Sequence, residues 1–135
     1  MSRAESTTPA ERTARPDTGA AVLYVCAERG RLVPTLAADR AQSEGRAYAT
    51  AHGLRLVDVI TDPYGEAEPV RRAGWRLVRA LARAGTVDTV IVRWPAAIAP
   101  DGAAERRHRE ITWLQSHGVR VRYSWAPLAA GGDGG

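Results

Sequence analysis

The feature that most constrains this chain is a hydrophobic pattern that switches its period back and forth along the sequence. Residues 21–27 (AVLYVCA) form a continuous apolar run, as in a strand covered on both faces. Residues 34–52 are alanine-rich at helical spacing, and Gly53 stands where such a helix would end. Residues 54–60 (LRLVDVI) return to a β-branched, strand-like pattern. Residues 71–84 predict an amphipathic helix with Trp75, Val78 and Leu81 on one stripe and Arg72, Arg76, Arg79 and Arg83 on another, closed by Gly85. Residues 87–94 (VDTVIVRW) read as a third strand. Asp101 is placed to N-cap a helix carrying Ala104, Ile111 and Leu114 and ended by Gly118. Val119, Val121 and Tyr123 then alternate with Arg120, Arg122 and Ser124, the pattern of a half-exposed edge strand. Strands and helices alternating across short connections predict an α/β fold: three layers, with a mainly parallel four-stranded sheet and about three helices. Open sheets of this kind bind ligands at the carboxyl ends of their strands. A site is therefore expected in residues 26–36, 61–70 and 94–102.

Composition narrows the class. At 135 residues, 44% hydrophobic and 25% charged, the chain fits one globular domain. Residues 1–19 carry hardly any large apolar side chain and are expected to be a disordered N-terminal segment. Residues 20–127 form the expected α/β domain, and residues 128–135 a flexible Gly-rich tail. The 19 basic residues are all arginine and exceed the 15 acidic ones, for a net charge of +4. Arginine stands even at bland surface positions, which reads as codon bias more than design. A single cysteine excludes an intramolecular disulfide and a cysteine-based zinc cluster. No apolar run approaches the roughly 20 residues of a membrane span. Glu5, Glu11 and Asp17, without an apolar stretch beside them, argue against a signal or transit peptide, so a cytoplasmic domain is expected.

The three candidate stretches and their surroundings resemble the N-terminal catalytic domain of the serine recombinases, the resolvase/invertase family, from about residue 21 to 125. The resemblance rests on Ala21-Val-Leu-Tyr24-Val, on Arg46-Ala-Tyr48-Ala49 with His52-Gly53-Leu54, on Asp62, on Arg72-Ala-Gly74-Trp75, and on residues 77–92 (LVRALARAGTVDTVIV). It implies a resolvase-like fold. It also implies a chemistry in which a serine hydroxyl attacks a DNA phosphodiester while fixed cations hold the developing charge. The family places Tyr-x-Arg-x-Ser on the first strand and Asp-Arg-x-x-Arg after the third. Here the first arginine falls on Cys26 and the serine on Glu28. The later Asp and two arginines fall on Ala96, Ala97 and Pro100. Asp62 and Arg72 keep family-like chemistry, so Cys26, Glu28, Asp62, Arg72, Ala97 and Pro100 outline a vestigial pocket. A carboxylate about 4 Å from a phosphate adds about 4 kcal/mol of repulsion at an effective dielectric of roughly 20. No serine or threonine lies between Gly19 and Pro34, so no small shift of register restores the nucleophile. The family also carries a long helix and a DNA-binding module after this domain, whereas the chain ends ten residues after Trp125. The expectation is therefore no strand cleavage, no catalytic residue and no site-specific reading of DNA.

Other residues have bland readings beside sharp ones. Arg72, Arg76, Arg79 and Arg83 could track a DNA backbone weakly and without sequence preference, but a solvated helix face explains them as well. Arg106, Arg107, His108 and Arg109 are interrupted by Glu105 and Glu110. Arg29 and Arg31 could lower the pKa of Cys26, although a lone cysteine is more often a small apolar packing residue. His52 and His117 precede glycines at helix ends, where a cation suits the helix dipole. No metal-ligand spacing is present, and neither a metal nor a cofactor is expected. Trp75 fits the core stripe. Trp113 and Trp125, with Arg120, Arg122 and Tyr123 of the edge strand, make a candidate interface for a homodimer or another protein partner. The favoured reading is a catalytically inactive domain acting by protein interaction or dimerisation, regulating or scaffolding DNA transactions. A non-specific DNA-binding protein comes second. An enzyme with repurposed chemistry at Glu28, Asp62 and Cys26 comes third.

Overall fold

The first apolar run becomes the centre of the sheet. Strand β1 (Ala20–Ala27) is buried from Ala20 to Val25 because it has strand neighbours on both sides and helices on both faces. The structure, a computed structural model, describes residues 19–125; the expectations for residues 1–18 and 126–135 lie outside the described residues. After β1 come α1 (Leu36–Ala51), β2 (Arg55–Pro63), a 3-10 turn (Pro69–Arg71), α2 (Ala73–Arg83) and β3 (Thr89–Val92). Two further 3-10 turns (Pro95–Ala97 and Asp101–Ala103) lead to α3 (Ala104–Ser116) and β4 (Arg120–Tyr123). The sheet has the order β2-β1-β3-β4, and every pairing is parallel.

Alternation along β1 sorts its side chains into two cores. Val22 and Tyr24 join Val90 and Val92 of β3, Trp75 and Val78 of α2 and Leu114 of α3. Ala21, Leu23 and Val25 join Ile91 of β3 and Ala41 and Ala49 of α1. One helix therefore covers one face and two cover the other, the expected three layers. Helix α1 lies close against β1 because Gly45 faces it. A Cβ at that position would come within 2.3 Å of Leu23 Cδ1. The expected helix ends are present: Gly53, Gly85 and Gly118 take left-handed φ values of 67°, 76° and 76°.

Three local expectations are corrected. Asp101 does not cap α3. A 3-10 turn moves the helix start to Ala104, and the carboxylate meets Arg107 at 3.0 Å instead. Ser124 is buried, because hydrogen bonding continues past β4: Ser124 N–H donates to Val92 O, and Trp125 N–H to Arg93 O. Strand β2 runs on to Pro63 and pairs Cys26 with Asp62. That extension carries Asp62 to the carboxyl end of the sheet.

The order β2-β1-β3 means that the chain leaves β1 for one neighbour and returns on the other side of it. The two crossover helices, α1 and α2, lie on opposite faces, so β1 and β3 diverge at their carboxyl ends. This topological switch point opens the crevice in which sheets of this kind hold ligands.

Candidate functional site

Asp62 is the organising residue at this end of the sheet. Its carboxylate accepts hydrogen bonds from the N–H groups of Gly74 (2.9 Å) and Trp75 (2.9 Å) and from the Tyr24 hydroxyl (2.7 Å). A strand residue thereby caps α2, satisfying two of its unpaired donors and placing a negative charge at its positive end. Residue 74 must be glycine, because a Cβ would lie 2.6 Å from Asp62 Oδ2.

Arg72 sits just before α2 and, like Asp62, is only 5% exposed. Its Nε donates to Glu66 O (2.8 Å), and its Nη1 reaches Ala97 O (3.1 Å), Ile98 O (2.8 Å) and the Tyr24 hydroxyl (3.4 Å). The guanidinium thus joins the start of α2 to the turn that follows β3. Tyr24, Asp62 and Arg72 form one continuous buried chain. Burial first, then Cys26 and the hydrogen bond to Asp62, push the Tyr24 phenol far above its ordinary range, with Arg72 opposing.

In front of this chain lies a crevice of about 310 Å³. Cys26 approaches it from β1, Glu28 from the loop that follows, Arg93, Trp94 and Ala97 from beyond β3, Ala41 from α1 and Tyr64 from the end of β2. The Cys26 thiol faces Pro63 O at 3.8 Å, and burial raises its pKa despite the opposing charge of Arg72. The cation that acts on the thiol is therefore Arg72 rather than Arg29 or Arg31, and burial outweighs it. Trp125 stands edge-on to Trp94, with centroids 4.9 Å apart, and props that wall.

The candidate residues are thus divided. Cys26, Glu28 and Ala97 line the crevice, Asp62 and Arg72 lie behind Tyr24, and Pro100 is outside the lining. The proposed convergence of Glu28 and Asp62 is corrected: Glu28 is exposed at the rim, while Asp62 is committed to three donors. Among the described residues, no group of three His, Cys, Asp or Glu side chains is placed to hold a metal ion.

The arginine stripe is also corrected. Arg72 is buried, and Arg79 pairs with Glu110 at 3.1 Å while covering the Trp113 ring at 4.0 Å, which leaves Arg76 and Arg83 exposed. Arg72 misleads because its extended backbone (φ −90°, ψ 128°) places it off the helix whose wheel it was counted on. The second basic cluster is likewise tied down. Arg106 and Arg109 pair with Glu68, and Arg107 donates to Ala99 O and Asp101.

Of the five candidate interface residues, only Arg120 is exposed, and Trp113 and Tyr123 pack against the same core cluster. Trp125 props the crevice wall, and Trp113 is flanked by Arg79, Arg83 and His117. Arg122 donates to the Tyr48 hydroxyl (3.3 Å), Tyr123 is half-buried, and Arg120 is exposed on the sheet edge. The histidines behave as expected at helix ends: His52 Nδ1 lies 2.9 Å from Tyr48 O, and His117 Nδ1 lies 3.0 Å from Trp113 O.

Glu110 and Glu68 were missed in the sequence. Glu110 is fully buried between Trp75 Nε1 (2.8 Å), Arg79 and Arg109. The available signal was the buried indole of Trp75, whose N–H requires an acceptor.

No protein-family model matches the sequence, and comparison with curated proteins gives no match. Solved structures do match. The C-terminal catalytic domain of ISC1926 TnpA, an IS607-like serine recombinase, superposes with a TM-score of 0.65 at 20% identity, over 77% of this chain and 68% of that one. The N-terminal catalytic domain of TP901-1 integrase gives 0.66 at 14% identity, over 77% and 75%. A serine recombinase from Sulfolobus solfataricus gives 0.53 at 16%, over 84% and 75%.

Proposed function

We propose that this chain, whose α/β fold is that of serine recombinase catalytic domains, does not cleave DNA and acts by binding a protein partner or a second copy of itself. In that role it would regulate or scaffold DNA transactions. The observation that carries the reading is the chemistry of the crevice. Its β1 side presents Cys26 and Glu28, and its far side presents Ala96 and Ala97. No hydroxyl of a serine or threonine lies between Gly19 and Pro34. The next one along, Thr35 Oγ1, donates to Asp39 at 3.0 Å. A phosphate in this crevice would meet the Glu28 carboxylate, costing about 4 kcal/mol at about 4 Å, while the one arginine of the lining, Arg93, is paired with Glu44 at 3.2 Å. The charged residues held in common with the resembled motif, Asp62 and Arg72, are engaged with backbone groups and Tyr24.

The test is incubation with supercoiled plasmid, followed by denaturing separation of free and protein-linked DNA. Unchanged plasmid is expected, and a covalent protein–DNA product overturns the proposal. Non-specific DNA contact is the weaker reading, because Arg76 and Arg83 are the exposed members of the stripe. Two phosphate contacts give a slope of log affinity against log salt of only about −1.8. Self-pairing through β4 is also disfavoured: the strand has four residues and carries Arg120 and Arg122, features that blunt an edge.

A further inference from the structure

We infer that the carboxyl-end face, made of the loop after β1 and the crevice behind it, docks an acidic segment of a partner protein that inserts an aromatic or aliphatic anchor. The inference rests on the protein-interaction reading above and names the surface and the partner's chemistry. Its first support is where exposed apolar surface lies. Among the described residues the exposed large hydrophobic side chains are Leu32 (95%), Val33 (51%), Leu36 (41%), Tyr64 (46%) and Leu77 (57%). All but Leu77 belong to this one end of the sheet. Leu32, Val33 and Leu36 line an open groove that shares Glu28 and Ala37 with the crevice, so the two are continuous. Apolar side chains held together in water mark an interaction surface, and an adjoining concavity gives an anchor side chain somewhere to go.

The second support is charge. Arg29 and Arg31 are exposed on the same loop and form no ion pair among the described residues, whereas Glu28 is the loop's one acid. Arg93 and Arg72, the arginines at the crevice itself, are engaged: Arg93 pairs with Glu44, and Arg72 with backbone carbonyls. The loop thus offers two cations beside an apolar groove, which complements acidic side chains flanking an apolar one. A second copy docking through the same patch about a two-fold axis would set Arg29 and Arg31 against their own equivalents, which disfavours self-association here. A lipid surface would cover the loop but leave the crevice empty. Gly30 lets the loop take its path, since a Cβ there would lie 2.9 Å from Val33 O.

The experiment is selection of a displayed random-peptide library on the full chain, with counter-selection on Leu32→Ser/Val33→Ser and phosphatidylglycerol vesicles in a parallel arm. Enriched peptides are expected to carry Asp or Glu beside Trp, Phe or Leu. They should lose about ten-fold or more in affinity on Arg29→Glu/Arg31→Glu and on replacing the anchor by alanine. All four replaced residues are exposed, so the variants should melt with the parent. Enrichment that ignores the patch, basic enriched peptides, no enrichment, or Leu32-dependent binding of vesicles alone would each overturn the inference. A covalent product in the plasmid assay refutes the non-cleaving reading whatever the selection returns. Inert plasmid with a failed selection refutes the docking site alone.

Discussion

Replacing Asp62 tests whether the retained acid is a structural cap. In Asp62→Ala, the N–H groups of Gly74 and Trp75 and the Tyr24 hydroxyl lose their acceptor at a site only 5% exposed. A buried donor left unpaired costs about 1–3 kcal/mol, and loss of a helix cap about 0.5–2 kcal/mol. Water entering the space recovers part of this, which brings the expected loss to about 3–4 kcal/mol. Against a total stability of about 5–15 kcal/mol, that is a large fraction. Asp62→Asn keeps one oxygen for Gly74 and lets the Tyr24 oxygen accept from the new amide, stranding Trp75 N–H; it should cost about 1–2 kcal/mol. Urea denaturation followed by circular dichroism reads both, with the m-value unchanged if the denatured state is unaffected. Gly74→Ala sharpens the test. Its Cβ would sit 2.6 Å from the Asp62 carboxylate, so the substitution should be costly in the parent and much milder in Asp62→Ala. Equal stabilities for parent, Asn and Ala variants, or strict additivity with Gly74→Ala, would refute the capping argument.

Glu68 gives a pH signature. Hydrogen bonding by Arg109 holds its carboxyl below the usual range, so its stabilising contribution is present above the unfolded value of about 4.3 and is lost as pH falls through the lower folded one. The stability gap between parent and Glu68→Gln should therefore close across that acid window, and a constant gap would contradict it. Cys26, raised by burial, should react with a thiol-specific disulfide reagent at neutral pH more slowly in the folded protein than in urea; equal rates would show an open thiolate.

The periodicity exposed in the sequence was enough for the elements and layers, because β1 and α2 present unambiguous repeats and Gly53, Gly85 and Gly118 terminate helices by a local rule. The candidate site was legible in position, since the carboxyl ends of parallel strands follow from topology. Its chemistry was less so. A helical wheel puts Arg72 on the exposed face, whereas its extended backbone turns it into the core. In the sequence Glu110 only breaks a basic run, since no periodicity rule puts an acid in a core; the indole it satisfies does. Asp101 failed as a cap because an intervening 3-10 turn shifted the helix start, a difference decided by backbone geometry.

The buried chain of Tyr24, Asp62 and Arg72 bears directly on how the crevice is to be read. A tyrosine, an aspartate and an arginine converging behind a cleft invite a catalytic interpretation. Each is nevertheless accounted for by the fold. Asp62 caps α2, Arg72 holds the turn after β3, and Tyr24 joins the two while packing edge-on against Trp75 at 4.9 Å between centroids. The carboxylate already has a donor at each oxygen, and three carbonyls engage the guanidinium, so neither is free to turn toward a ligand without unpairing a buried group. What the crevice and its loop offer an incoming molecule is therefore the Tyr64 and Trp94 rings, small alanine walls, Leu32 and its apolar neighbours, Arg29 and Arg31, with Glu28 at the rim and Arg93 held by Glu44. That set of groups is what the proposed docking of an apolar anchor with acidic flanks rests on, and the plasmid assay and the peptide selection test its two halves separately.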